Sequence, residues 1–498
     1  MSVSAVGSQA AIAVQQLVTM RSQFDDLERQ LSTGQKSATY VGLGTGSGVT
    51  VGLNAQLSGL GAFDNSINIV NTRIGLMSNA LTSMTQIAGS VQSVIDNTTP
   101  PATSAAPGIA QQTGYSSLGQ LLDLLNTQTG GHYLFSGNTT DQPPTDTFNH
   151  IMNGNGAQAG LTQLISERTQ ADLGVGNLGR LAITNGGTSV SVADDTSPFG
   201  FKLASVNSTL TNATVSPPSG SPATMSVDFS GGNPNAGDKI MLSLNLPDGT
   251  SENITLTATT ASPPSANQFT IGATPSDTAT NFQNALTSAV GTLAATSLTA
   301  ASAVSASNDF FNADSNNPPQ RVNGPPFDTA TGMVAGTTAN TVIWYTGDAS
   351  GGSARDTATA RVDPSLVVSY GARANEDALR NLVQNVATLA AVQISSSNPN
   401  AVGLSSALNQ RLTTNLNSTS GQSLTDIETQ LASAQNAATD AQNRHAQTSA
   451  TLNDYLQNIT GVSNEEVGTE LLTLQTRMQA SMQATSMLFQ TSLVNYLK

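Results

Sequence analysis

Apolar positions near the C-terminal end of the chain fall at Leu424, Ile427, Leu431, Ala434, Ala438, Ala441, His445, Thr448, Leu452, Tyr455 and Ile459, in steps alternating three and four. This spacing is an a/d seam, the pattern that winds one helix against another. Gly461 interrupts it, and Ser463 with Glu466 three residues on makes the capping box that restarts a helix. A second seam, out of phase with the first, follows at Val467, Leu471, Leu474, Met478, Met482 and Phe489. The N-terminal end repeats the alternation at Val3, Val6, Ala10, Ala13, Leu17, Met20, Phe24, Leu27 and Leu31. The pattern predicts a helix of about thirty residues, roughly 45 Å long. A strict two-in-seven stripe is narrower than the apolar face of an ordinary globular helix, so it points to a coiled-coil partner. Neither end has such a partner nearby in sequence. The partner is therefore the other end of the chain or another molecule.

Gly34 closes the first helix, and residues 40–53, with five glycines, read as a flexible connector. A third seam runs from Phe63 through Ile67, Val70, Ile74, Met77, Leu81, Met84, Ala88 and Val91 to Ile95, stopped by Pro100 and Pro101. A shorter helix around Leu118, Leu121, Leu122 and Leu125 ends at Gly130 and Gly131, and the two read as an antiparallel helical hairpin. The texture then changes. Tyr133, Leu134 and Phe135 read as a short strand, and residues 180–370 as short strands and turns. Ile240, Leu242, Leu244 and Leu246, then Pro247-Asp248-Gly249, then Ile254 and Leu256 spell a β-hairpin. One helix interrupts, with Phe282, Leu286 and Leu293 on a face and Ser276 or Asp277 as its cap; further strands are expected at 342–345, around Trp344, and at 366–370. Helices return from Asp377 and again over 404–416. The expected fold is mainly α, a coiled-coil or helical bundle of the N- and C-terminal segments with an inserted β-rich region, α+β overall. The expected domains are 1–145, 146–370 and 371–498.

Seventeen basic against 32 acidic residues give a net charge of -15, and the lysines are few and scattered, so neither nucleic acid nor an anionic membrane surface is an expected partner. No run of about 18 apolar residues is present, so membrane insertion is not expected. The first thirty residues lack a basic start followed by an apolar stretch, so a cleaved secretion signal is not expected either. Cysteine is absent, which excludes disulfides and thiol chemistry. Only 10% of residues are charged, a composition that suits an extracellular or assembled protein. His132, His150 and His445 each lack a second ligand at helical or hairpin spacing, and neither H-E-x-x-H nor G-x-S-x-G occurs. Asp25, Asp26, Glu28, Glu465 and Glu466 are placed for solvation and dipole pairing on helices. Asp238 and Asp248 sit in turns where nothing else supports calcium. No catalytic, metal or cofactor-binding residue is expected, and an enzyme is the weakest reading. The residues that carry function are instead those of the assembly seam: Leu17, Met20, Phe24, Leu27, Leu31, Leu471, Leu474, Met478, Met482 and Phe489.

Three stretches carry a family resemblance. LSTGQKS at 31–37 is similar to the segment that closes the first helix of the flagellin superfamily, and MLFQTSLVNYL at 487–497 to its C-terminal ending. GGHYLFSGNTTDQPP at 130–144 resembles the turn that hook–filament junction proteins carry after their second long helix, with Tyr133, Leu134, Phe135, Ser136 and Gly137 at its centre. The resemblance implies paired terminal helices around a variable β-rich insertion. It also implies export without a cleaved signal through the flagellar type III apparatus, aided by a chaperone, and assembly outside the cell into an axial tube. Its implied partners are copies of itself, hook-associated protein and flagellin, with no cofactor. A junction subunit, a filament flagellin and, more distantly, a secreted coiled-coil adhesin all stay open at this point.

Overall fold

The computed structural model describes residues 3–97, 108–395, 397–418 and 420–496, so the Pro100–Pro101 stop and Leu497 lie outside the described residues. The chain opens with α1 (Val3–Thr33), a 3-10 turn (Tyr40–Leu43), α2 (Gly46–Asn97) and α3 (Ile109–Leu125). A small hairpin, β1 (Gln128–Thr129) and β2 (His132–Tyr133), precedes α4 (Phe148–Asn153) and α5 (Leu161–Leu173). Eight strands follow: β3 (Ala182–Asn185), β4 (Ser189–Ala193), β5 (Lys202–Ser208), β6 (Thr214–Ser219), β7 (Thr224–Asp228), β8 (Lys239–Asn245), β9 (Ser251–Thr259) and β10 (Gln268–Thr270). Then come α6 (Pro275–Leu293), a π turn (Ala294–Leu298) and α7 (Thr299–Asn312). Short strands β11 (Arg321–Val322), β12 (Met333–Val334), β13 (Thr359–Asp363) and β14 (Leu366–Ser369) lead to α8 (Asp377–Ala391), α9 (Ala401–Leu416), α10 (Leu424–Thr460) and α11 (Asn464–Tyr496). This is a helical bundle built from both ends of the chain, carrying a β-rich insertion.

Two compact units form. One gathers Met1–Asn71, Ala360–Val368 and Gln435–Lys498; the other gathers Thr72–Thr359 and Ser369–Ala434. In the first, α1 packs on α11. The end of α1 meets the start of α11, because Lys36 N donates to Thr460 O at 2.8 Å and Val462 N to Gly34 O at 3.1 Å, so the two helices run antiparallel. The beginning of α2 runs antiparallel to the second half of α10, with Asp64 against His445 and Asn68 against Gln442. The glycine-rich stretch is not the flexible connector its composition suggests. From Gly46 onward it is the first turns of α2, with Thr50 buried and its hydroxyl bonded to Gly46 O at 3.0 Å. A Cβ on Gly46 would lie 2.8 Å from Ile459 Cγ2, so close approach to α10 favours glycine there. Ser463 caps α11 by accepting from Glu466 N at 3.4 Å, and a reciprocal box of Ser423 and Asp426 caps α10.

In the second unit α3 packs on α8, close enough that Gly114 lies against the backbone of Ala390 and Gln111 Nε2 donates to Ala390 O at 3.1 Å. The β-rich part holds two four-stranded sheets, ordered β10-β9-β8-β5 and β3-β4-β7-β6. The expected hairpin is β8–β9, paired antiparallel from Lys239↔Thr257 to Asn245↔Ser251 across the Pro247-Asp248-Gly249 turn. Both sheets and α6 share one core, in which Phe229, Phe269 and Phe282 meet edge-on or tilted with centroids 5.3–6.3 Å apart. Three readings are corrected. The α6 cap is Thr274, not Ser276 or Asp277; Asp277 is its reciprocal partner three residues on. A second buried helix, α7, follows α6, and α4 and α5 precede the strands. Residues 342–345 form no strand, only isolated bridging, because Trp344 turns inward and donates Nε1 to Phe311 O at 2.9 Å.

Candidate assembly interface

The seam residues gather in the first unit, where α1 and α11 face each other. Leu17, Met20, Phe24 and Leu27 are half-buried on α1, and Leu31, nearer the turn, is 40% exposed. On α11 the buried line runs through Val467, Leu471, Leu474 and Met478. Beyond Met478 it passes through Ser481 and Thr485, with Thr485 buried and its hydroxyl returned to Ser481 O at 2.7 Å. Met482 and Phe489 lie off this line, 48% and 53% exposed. Ile12, Val18 and Leu472 add to the outward apolar surface, each more than half exposed. Sequence reasoning missed these three because it followed one stripe per helix; a second apolar row beside each seam was the available signal.

Both helical pairs break at the same level. Gly34 has φ +66°, the left-handed conformation that glycine adopts without strain, and its N–H returns to Gln30 O at 2.8 Å. Gln35 then pairs antiparallel with Gly461 as an isolated bridge. The LSTG turn thus meets the interruption between α10 and α11.

The turn at Tyr133–Gly137 lies in the second unit and closes the neck of the insertion. Phe135 and Ser136 are fully buried. Gly137 N donates to Ala372 O at 3.0 Å, Ala374 N to Phe135 O at 2.8 Å and Asp348 N to Ser136 O at 2.9 Å. The segment after β2 is thereby held to the segment that enters α8. One step further out, Asp146 N donates to Trp344 O and Thr346 N to Pro144 O, both at 2.9 Å. Gly137 has φ +65°, and a Cβ there would lie 2.8 Å from Asp348 Cβ. Burial alone would raise the Asp348 carboxyl, but hydrogen bonds from Ser350 and Asn138 and the Arg373 charge together hold it below its ordinary value. Arg373 Nη2 donates to Gly352 O at 2.7 Å, and Glu376 accepts from Arg355, Arg373 N and Gln422, so the neck is knitted by charge-assisted bonds.

The other polar residues have structural partners. His132 Nδ1 lies 3.0 Å from Thr140 Oγ1, and His150 lies between Asp146 and Gln158 at 2.5 and 3.1 Å. Asp248 is engaged by Arg411, and Asp238 accepts from Thr211 and Asn235. Among the described residues no three His, Asp or Glu side chains are arranged to hold a metal ion.

Residues 7–140 match the family model for the bacterial flagellin N-terminal helical region. The matched span runs from α1 to the neck turn and supports the flagellin superfamily. No curated protein matches the chain.

Proposed function

We infer that this chain is a member of the flagellin superfamily and a structural subunit of the bacterial flagellum, exported and assembled outside the cell into the axial tube at the hook–filament junction; the match of residues 7–140 to the flagellin N-terminal helical region supports this reading. The observation that carries the reading is the antiparallel pairing of α1 with α11, which joins the two ends and leaves apolar side chains facing outward. Burying one Leu or Phe is worth roughly 1.5–3 kcal/mol. Ile12, Val18, Leu472, Met482 and Phe489 therefore supply, on each copy, a strong reason to pack against neighbours. In this reading Leu17, Met20, Phe24, Leu27, Leu31, Leu471, Leu474 and Met478 hold the subunit's own pair together, and Met482 and Phe489 meet the next subunit. The partners are other copies of the chain, hook-associated protein and flagellin, with a chaperone and the type III apparatus during export. Residues 1–145 and 371–498 build the tube, 146–370 project from it, and the role is structural rather than catalytic.

The neck turn at Tyr133–Gly137 supports the junction position. The match to the flagellin N-terminal region favours filament flagellin as the second reading. Deletion of the gene separates them. Hooks that remain in place while flagellin is shed into the medium support the junction role. Loss of the filament's main component supports flagellin, and absence of the protein from isolated flagella overturns both.

A further inference from the structure

His445 sits in the first unit, buried to 3% exposure, where α2, α10 and the β13–β14 hairpin meet. Its ring packs on Phe63 with centroids 5.9 Å apart. Nδ1 lies 2.8 Å from Asp64 Oδ1 on α2, and Nε2 lies 3.8 Å from Asp363 Oδ2 at the hairpin tip. The remaining charges nearby are Arg444, whose guanidinium pairs with Asp363 at 3.3 Å, and Arg361, which turns back to the carbonyls of Asp363 and Pro364 on its own hairpin.

The geometry fixes the tautomer. An ionised carboxylate only accepts, so the short contact to Asp64 requires the proton on Nδ1. A neutral ring then presents a lone pair at Nε2. That atom is buried and has no hydrogen-bond partner among the described residues, and it is directed at a second carboxylate. Two acceptors facing each other in a site of low dielectric repel. One added proton turns Nε2 into a donor and the repulsion into a charge-assisted contact.

We propose that His445 is a proton-operated clasp that holds the tip of the β13–β14 hairpin to the α2–α10 pair. Proton binding and hairpin docking favour each other by linkage, so docking tightens as pH falls and loosens as pH rises. The device needs only the acidity of the medium and rests on neither flagellar reading.

Amide exchange over residues 359–369 in the full chain, corrected for intrinsic rates, tests it between pH 5.5 and 8. Hairpin opening should be at least tenfold more frequent at the higher pH in the unaltered protein. Asp363→Asn should remove that dependence and keep the hairpin docked at pH 8, because its amide donates to the neutral Nε2. Opening that does not change with pH, or an unchanged dependence in Asp363→Asn, overturns the proposal. Should the variant misfold, 15N shifts of the His445 ring in the unaltered protein still decide. Protonation at both nitrogens at low pH, and at Nδ1 alone at high pH, supports the clasp. A neutral ring protonated at Nε2, or one that never gains its second proton, overturns it.

Discussion

Arg411 is where α9 grips the β-rich insertion, and its removal should loosen both. The guanidinium donates Nε to Asp248 Oδ2 at 2.7 Å and Nη2 to Thr250 Oγ1 at 3.1 Å, with Glu252 Oε1 at 3.5 Å and Ala407 O holding Nη1. The side chains of Arg411 and Asp248 are only 6% and 3% exposed, so neither charge can turn to water when the other is lost. Breaking such a pair from one side costs about 3–5 kcal/mol, mostly the stranded charge. Asp248 keeps two donors from Thr250, at 3.0 and 2.6 Å, which places Arg411→Met at the lower end, near 3 kcal/mol, or about 100-fold in the opening equilibrium. The double variant Arg411→Met, Asp248→Asn removes both charges and retains the turn's acceptor. It should recover at least about 1 kcal/mol of the summed single losses. The chain forms two units and is not expected to unfold in one step, so the assay is native-state amide exchange over β8, β9 and α9. Acceleration below threefold in Arg411→Met, or a double variant as damaged as the sum of the singles, would refute the reasoning.

Three further outcomes follow from the geometry. Gly137→Ala should destabilise the neck by about 2 kcal/mol, combining a left-handed backbone with a clash. Gly44→Ala, where φ is +57° and nothing lies within 4 Å, should show only the backbone part, and amide exchange around each substituted position compares them. Leu474→Ala should weaken the α1–α11 pair by about 2 kcal/mol and reduce assembly, whereas Leu472→Ala should reduce assembly while leaving exchange in α1 unchanged; equal exchange in the two variants would remove the distinction between inner and outer faces. Asp348 has a lowered folded-state pKa, so its contribution is present above the ordinary value of 3.8 and is lost only as pH falls below it; Asp348→Asn should flatten the acid limb of neck protection measured by exchange.

The terminal seams were legible because a two-in-seven stripe cannot bury itself, so a partner is implied by the pattern alone. Two of the elements that escaped carry charged or small residues on part of their buried faces. The inner face of α5 carries Glu167 and Asp172, almost fully buried, which reads as solvated until Arg321 and Arg168 are seen to neutralise them. α7 buries Ala300, Ala301, Ser302, Ala303 and Ser307 ahead of Phe310 and Phe311, so most of its length gives no periodic signal of size. In α11 the buried line passes through Ser481 and Thr485, where large residues at Met482 and Phe489 draw the eye one row aside. Gly48 and Gly52 each lower helix propensity by about 1 kcal/mol relative to Ala, yet both lie within α2. The approach of α10, which no local rule contains, outweighs that preference.

The coincidence of the two breaks bears on how such a subunit would deform. Within the subunit, the Lys36–Thr460 and Val462–Gly34 bonds and the Gln35–Gly461 bridge tie the two breaks together at one level. Backbone bonds of this kind fix alignment by geometry, so a one-residue slip would break both together. Among the described residues, the outward rows on α1 and α11 show no comparable device. Ile12, Val18, Leu472, Met482 and Phe489 attract without direction, and in a chain with only 10% charged residues few ion pairs can select one alignment between copies. In the proposed assembly, register would therefore be rigid inside each copy and weakly specified between copies. On the proposed function, a tube built from such subunits would absorb bending by sliding at the outer faces while the internal pair stays in place, as the proposed junction position would require.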